Sequence, residues 1–210
     1  MKLQLALDTL TLSECIELLD EISSYIDIIE VGTPFIIEEG LRPVKEFKQR
    51  YPHCEVLADV KIMDGGEFEA YKCFKAGADI VTVLGVAFDQ TIDGVIRAAK
   101  NHGGKVLVDM IGVKNLKERT VQLDEKGVDY ICVHTAFDLQ SSGASPVEEL
   151  KTITALVKNA KAAVAGGLKL NTLPAVIEEN AEIIVVGGGI TNAEDKVGTC
   201  LAMRALLDHE

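Results

Sequence analysis

Eight short apolar runs recur along the chain: LQLALD from Leu3, IDIIEVG from Ile26, EVLADVKI from Glu55, DIVTVLG from Asp79, KVLVDMIG from Lys105, DYICVHT from Asp129, KAAVAGG from Lys161 and EIIVVGGG from Glu182. They are too short for helices and rich in β-branched residues. Their apolarity is continuous rather than alternating, which predicts strands buried on both faces, as in a parallel sheet. Their starts lie 21 to 32 residues apart, enough for one strand, one loop and one helix per unit.

Helical patterning fills the gaps. Thr11 is placed to cap a helix running through Ile22, with Glu14 at the capping-box position. Ser145-Pro146 predicts another helix start, with Pro146 in the first turn. Two units end alike, KAGADIVTV and EKGVDYICV. In each, a glycine (Gly77, Gly127) suits the left-handed cap that closes a helix before an Asp and the next strand.

Eight βα units admit a closed barrel or an open doubly wound sheet. An open sheet binding a dinucleotide needs a Gly-rich turn after its first strand, and Leu7-Asp8-Thr9-Leu10 stands there instead. No Pro-rich or Gly/Ser-rich linker divides the chain. The expected fold is therefore α/β, a single (β/α)8 TIM barrel over residues 1–210. At 210/8, or about 26 residues per unit, little length remains for a second domain.

Composition narrows the function classes. Lys and Arg number 21 against 33 Asp and Glu, a net charge of −12, which disfavours nucleic acid and anionic membrane as partners. The five cysteines (Cys15, Cys54, Cys73, Cys132, Cys200) form no CxxC, as expected for reduced thiols in a cytoplasmic protein. MKLQLALD is not the apolar start of a signal peptide, and no later run has the length of a membrane span.

Catalytic groups of such barrels lie at the C-terminal ends of the strands. Here those ends carry Asp8, Glu30, Asp59 with Lys61, Asp109 and His134, in strands that are otherwise apolar. Ionisable groups so placed are costly unless paired or bound to a ligand. Asp59 and Lys61, two apart on a strand, are expected to face the same side. Asp64 falls in the following rim loop, where a helix N-terminal acid is the competing reading. Glu30 and Asp59, on adjacent strands, can share a hard divalent cation such as Mg²⁺ (or Mn²⁺), which takes few protein ligands. His134 can act as acid or base near neutrality, whereas His53, His102 and His209 fall in loops, helix ends or the tail. Gly166-Gly167 and Gly187-Gly188-Gly189 follow the last two strands, the usual place for backbone donors to a phosphate.

The segment Asp59-Val60-Lys61-Ile62-Met63-Asp64 has the D-x-K-x-x-D pattern of the orotidine 5′-monophosphate decarboxylase suprafamily. With Leu7-Asp8, Ile29 to Pro34, Val133-His134, Val164 to Gly167 and Val186 to Thr191, the chain resembles the metal-dependent branch. That branch holds the 3-keto-L-gulonate 6-phosphate decarboxylases and the 3-hexulose-6-phosphate synthases. The decarboxylases place Arg where this chain has Phe137 and Gly188. KIMDGGEFEA, VHTAFDLQ and VVGGGITNAEDK are instead similar to the synthases.

The resemblance implies an aldolase-type condensation of formaldehyde with D-ribulose 5-phosphate through an enediolate. It implies Mg²⁺ on Glu30 and Asp59, with His134 as the C1 base and Lys61 cationic rather than a Schiff-base amine. Asp8 would orient Lys61 or a substrate hydroxyl, and Asp109 would contact a hydroxyl or support its neighbours. The resemblance further implies a homodimer in which Asp64 reaches the neighbouring subunit's site, with no organic cofactor. Phe137 is expected to make the site drier. The competing readings are decarboxylation of 3-keto-L-gulonate 6-phosphate, metal-free orotidylate decarboxylation, and a non-catalytic phosphosugar-binding barrel.

Overall fold

The computed structural model describes residues 1–140 and 145–208. Eight parallel strands close in sequence order, with β8 returning to pair with β1. They are β1 (Lys2–Leu7), β2 (Ile28–Val31), β3 (Glu55–Ile62), β4 (Ile80–Leu84), β5 (Lys105–Asp109), β6 (Tyr130–His134), β7 (Lys161–Ala165) and β8 (Ile183–Val186). All eight apolar runs of the sequence are thus strands of one barrel.

Between them lie α1 (Leu12–Ile22), α2 (Thr33–Glu39), α3 (Arg42–Arg50), α4 (Gly66–Ala76), α5 (Asp89–His102) and α6 (Leu116–Lys126). The second half adds α7 (Phe137–Gln140), α8 (Val147–Thr154), α9 (Leu173–Ile177), α10 (Gly188–Thr191) and α11 (Lys196–Asp208). None of the described helices is long and apolar enough to cross a membrane.

The continuous apolarity of the strands has a direct cause. Alternate residues go to two cores: Leu3, Leu5 and Leu7 pack outward under the helices, while Ala6, Ile28, Leu57, Ile80 and Ile183 fill the barrel interior. The Thr11–Glu14 capping box forms as expected, with the Glu14 carboxylate accepting from the Thr11 N–H at 2.8 Å. Gly77 and Gly127 take the left-handed cap at φ 110° and 78°. Pro146 stands one position earlier than expected: it is the cap residue at ψ −1°, and α8 begins at Val147.

The Asp that follows those caps has its own task. Asp79 Oδ2 accepts the Val56 N–H and Asp129 Oδ2 accepts the Val106 N–H, each at 2.8 Å. Asp27 does the same for Leu3 N–H, also at 2.8 Å. In each case the Asp N–H also donates to the carbonyl of that residue. The acid before strands β2, β4 and β6 therefore clamps the N–H and C=O of the second residue of the preceding strand and helps set the register at the bottom of the barrel. At the same end Glu55 bridges Lys2 (2.6 Å) and Lys105 (2.5 Å), leaving the opposite rim for chemistry.

Candidate active site

The C-terminal mouth of the barrel gathers Gln4, Glu30, Asp59, Lys61, Thr82, Asp109, Cys132 and His134 around one pocket. Six different strands contribute. Glu30, Asp59, Lys61, Asp109 and His134 were expected there; Gln4 and Thr82 were not singled out.

Lys61 is the centre. Its Nζ pairs with Asp59 Oδ2, lies 3.2 Å from Thr33 Oγ1 and 3.7 Å from Asp109 Oδ2. Burial alone would lower the ammonium pKa, but the Asp59 and Asp109 charges and the hydrogen bond to Asp59 outweigh it and raise it. Lys61 is therefore a fixed cation.

The expected regular pleat from Asp59 to Lys61 does not hold. The β3–β4 register shifts between Ala58 and Ile62, and Lys61 sits at φ 47°, a left-handed conformation costly for any residue with a Cβ. Two threonines hold the bulge. Lys61 N donates to Thr82 Oγ1 at 2.9 Å while Thr82 Oγ1 donates to Asp59 Oδ1 at 2.8 Å. Thr33 Oγ1 lies 2.7 Å from Asp59 O and 2.9 Å from Asp59 Oδ2. Asp59 and Lys61 share a side as expected, with Lys61 Nζ paired to Asp59 Oδ2 across the bulge.

A second pair faces the first. His134 Nδ1 lies 2.8 Å from Asp109 Oδ2, and Asp109 Oδ1 accepts from Ile111 N at 2.9 Å. Burial pushes Asp109 upward, but the hydrogen bond to His134 and the charges of His134 and Lys61 win, so its carboxyl is held below the usual range. An ionised Asp109 makes Nδ1 the donor and leaves Nε2 as the basic nitrogen.

Glu30 is 7% exposed, and Gln4 Nε2 donates to its Oε2 at 2.6 Å. Burial, then the Asp59 and Asp8 charges, raise the Glu30 carboxyl well above the carboxylate range. Asp8, just past β1, is raised by burial and by Asp59. It lies against Gly32, where a Cβ would collide with Asp8 Oδ1.

The pocket lining offers the carboxyl groups of Glu30, Asp59 and Asp109 beside the Lys61 ammonium. Gln4 Oε1, also buried there, has no hydrogen-bond partner among the described residues. These oxygen donors fit a hard divalent cation. No group of three or more His, Cys, Asp or Glu that could hold a metal ion occurs among the described residues.

The remaining candidates lie around the rim. Gly166 (φ 106°) and Gly167 (φ 69°) turn the chain out of β7, and a Cβ at Gly166 would collide with the Thr135 carbonyl. Gly187 caps α10, whose first two residues are Gly188 and Gly189. Asp64 is exposed, accepts from Gly65 N at 2.8 Å and does not line the pocket of its own chain. Phe137, 84% exposed, stands in solvent and does not dry the pocket as expected. Outside the site, His53 Nε2 is 3.3 Å from Ser23 O and His102 stacks on Phe74; His209 lies outside the described residues.

Residues 1–203 match the model of the orotidine 5′-phosphate decarboxylase / HUMPS family. The chain belongs to this family. Among relatives in the orotidine 5′-phosphate decarboxylase / HUMPS family, it is 54% identical to the 3-hexulose-6-phosphate synthase of Bacillus subtilis over 207 residues, covering 99% of both chains. It superposes on the crystal structure of 3-hexulose-6-phosphate synthase from Salmonella typhimurium with a TM-score of 0.96 and 47% identity, covering 99% of this chain and 98% of that one. KGPDC from Streptococcus mutans, at 23% identity, a TM-score of 0.90 and coverage of 98% and 96%, shares the barrel. Membership of the orotidine 5′-phosphate decarboxylase / HUMPS family and this full-length similarity to synthases make the chain an enzyme.

Proposed function

We propose that the protein condenses formaldehyde with D-ribulose 5-phosphate to give D-arabino-hex-3-ulose 6-phosphate, with Mg²⁺ (or Mn²⁺) held by Glu30 and Asp59. The observation that carries the reading is the meeting of the fixed Lys61 cation with the Asp109–His134 pair in one carboxylate-rich pocket. Full-length similarity to proteins named 3-hexulose-6-phosphate synthase supports the choice of substrates.

When bound, the cation supplies Lewis-acid stabilisation of negative charge on the substrate oxygens. The chain's own residues do the rest. His134, or a water it orders, takes a proton from C1, and Asp109 holds the imidazole in the tautomer that leaves Nε2 basic. Lys61 stabilises the enediolate oxygen that results. C1 attacks the carbonyl carbon of formaldehyde, and the alkoxide so formed takes back a proton, so one proton is removed and one returned. Asp8 orients a substrate hydroxyl or Lys61. The loops at Gly166-Gly167 and Gly187 to Gly189 receive the phosphate through backbone N–H groups, which suits a protein of net charge −12.

The active unit in this reading is a homodimer in which Asp64 enters the pocket of a second copy. Asp64 is exposed and does not line its own pocket, and the nearby Met63 and Phe68 are 48% and 69% exposed. The cytoplasm is the proposed location, supported by five cysteines that are all free thiols. The function is tested by formaldehyde-dependent consumption of ribulose 5-phosphate, which EDTA abolishes and Mg²⁺ restores. Consumption that fails in every metal condition overturns it.

A further inference from the structure

Gln4 has no explanation in packing. It lies on β1 in the barrel interior, in register with Ile28 on β2 and Val185 on β8, both apolar. A Leu or Met fits such a layer with no polar atom to satisfy. One turn of the pleat higher, Ala6 stands opposite Glu30, and its small side chain leaves space beside the carboxylate. The Gln4 amide reaches into that space and donates from Nε2 to Glu30 Oε2 at 2.6 Å.

That single bond accounts for half of the amide. The other half, Oε1, is buried in a residue only 2% exposed and has no partner among the described residues. A buried unsatisfied acceptor costs about 1–3 kcal/mol, and Glu30 needs only the donor. Both ends of the amide serve a purpose if the pocket holds a hydrated cation: Nε2 fixes the carboxylate ligand, and Oε1 accepts from the cation's water.

We propose that Gln4 is a positioning residue of the divalent-cation site, orienting Glu30 through Nε2 and accepting a hydrogen bond from the cation's hydration shell through Oε1. The inference rests on the cation reading given above. Groups that support a metal ligand in this way typically contribute about 10- to 100-fold to metal affinity.

The test is direct Mn²⁺ binding to the full chain, read from the electron paramagnetic resonance of free Mn²⁺, for wild type, Gln4→Met and Gln4→Leu. Thermal melting of each metal-free protein accompanies it. The expected result is Mn²⁺ affinity at least about 10-fold weaker in both variants, with metal-free melting temperatures equal to or above wild type. A purely structural role lowers the melting temperature and leaves affinity alone. Variant affinities within twofold of a wild type that binds Mn²⁺ overturn the inference, as does a loss of affinity seen only in a variant that melts lower. A wild type that binds no Mn²⁺ overturns the cation reading itself, a distinct result.

Discussion

His134 Nδ1 and Asp109 Oδ2 lie 2.8 Å apart, on adjacent strands β6 and β5. The carboxylate chooses the tautomer: it demands a proton on Nδ1 and leaves the lone pair on Nε2. The Asp109→Asn variant removes that demand while keeping the shape, and its amide nitrogen favours the wrong tautomer. It is expected to lower kcat by about 10²-fold or more, the usual worth of a general base. His134→Asn should also stop exchange of the substrate's C1 proton with solvent deuterium. Exchange at the wild-type rate in that variant assigns the base elsewhere.

Lys61 and Asp59 form the other half of the site. Loss of either, as Lys61→Ala or Asp59→Ala, is expected to lower kcat by at least about 10²-fold, the range for removing one transition-state stabiliser. Steady-state assays at saturating ribulose 5-phosphate and formaldehyde read this. A near-wild-type kcat in either variant contradicts the assigned roles.

Asp64 is tested by mixing. The Lys61→Ala and Asp64→Ala proteins should each be inactive. If Asp64 serves the partner, random exchange of subunits rebuilds one complete site in each heterodimer, and about a quarter of wild-type activity returns. No return of activity, with exchange verified by native mass spectrometry, places the role of Asp64 within its own chain.

Stability has a separate key residue far from the chemistry. Asp124, on α6, accepts the backbone N–H groups of Lys158, Asn159 and Ala160 at 3.1, 2.9 and 2.8 Å. Burial pushes its carboxyl up, but these donors outweigh it and hold the pKa below the ordinary value of 3.8. A depressed carboxylate stabilises the fold fully above its unfolded pKa, and that contribution is lost as pH falls through the lower folded value. Asp124→Ala should therefore cost about 3 kcal/mol near neutrality, from charge-assisted hydrogen bonds. The gap from wild type should narrow only below about pH 4. Urea unfolding across pH reads both; equal midpoints at pH 7 contradict the role.

Much of this architecture is legible in the sequence, for identifiable reasons. Continuous apolar runs arise because outward positions such as Leu5 and inward ones such as Ile28 both meet a core. The ionisable residues at the strand ends are conspicuous against that background, which is why Glu30, Asp59, Lys61, Asp109 and His134 can be grouped from the amino-acid sequence alone. Thr33, Thr82 and Gln4 escape notice. Threonine is a common strand and turn residue, and a single Gln in LQLAL carries no charge. Only the three-dimensional contacts show that Thr82 both caps the Lys61 N–H and holds Asp59. The left-handed Lys61 is hidden for a similar reason, because DVKI reads as an ordinary pleat and the bulge arises from pairing with β4.

In the proposed reaction one pocket, with its divalent cation, joins formaldehyde to ribulose 5-phosphate. The decisive experiment follows ribulose 5-phosphate with and without formaldehyde, in protein stripped by EDTA and then resupplied with Mg²⁺. Consumption is expected only when formaldehyde and the cation are both present. Consumption that persists in EDTA, or that proceeds without formaldehyde, contradicts the proposed reaction.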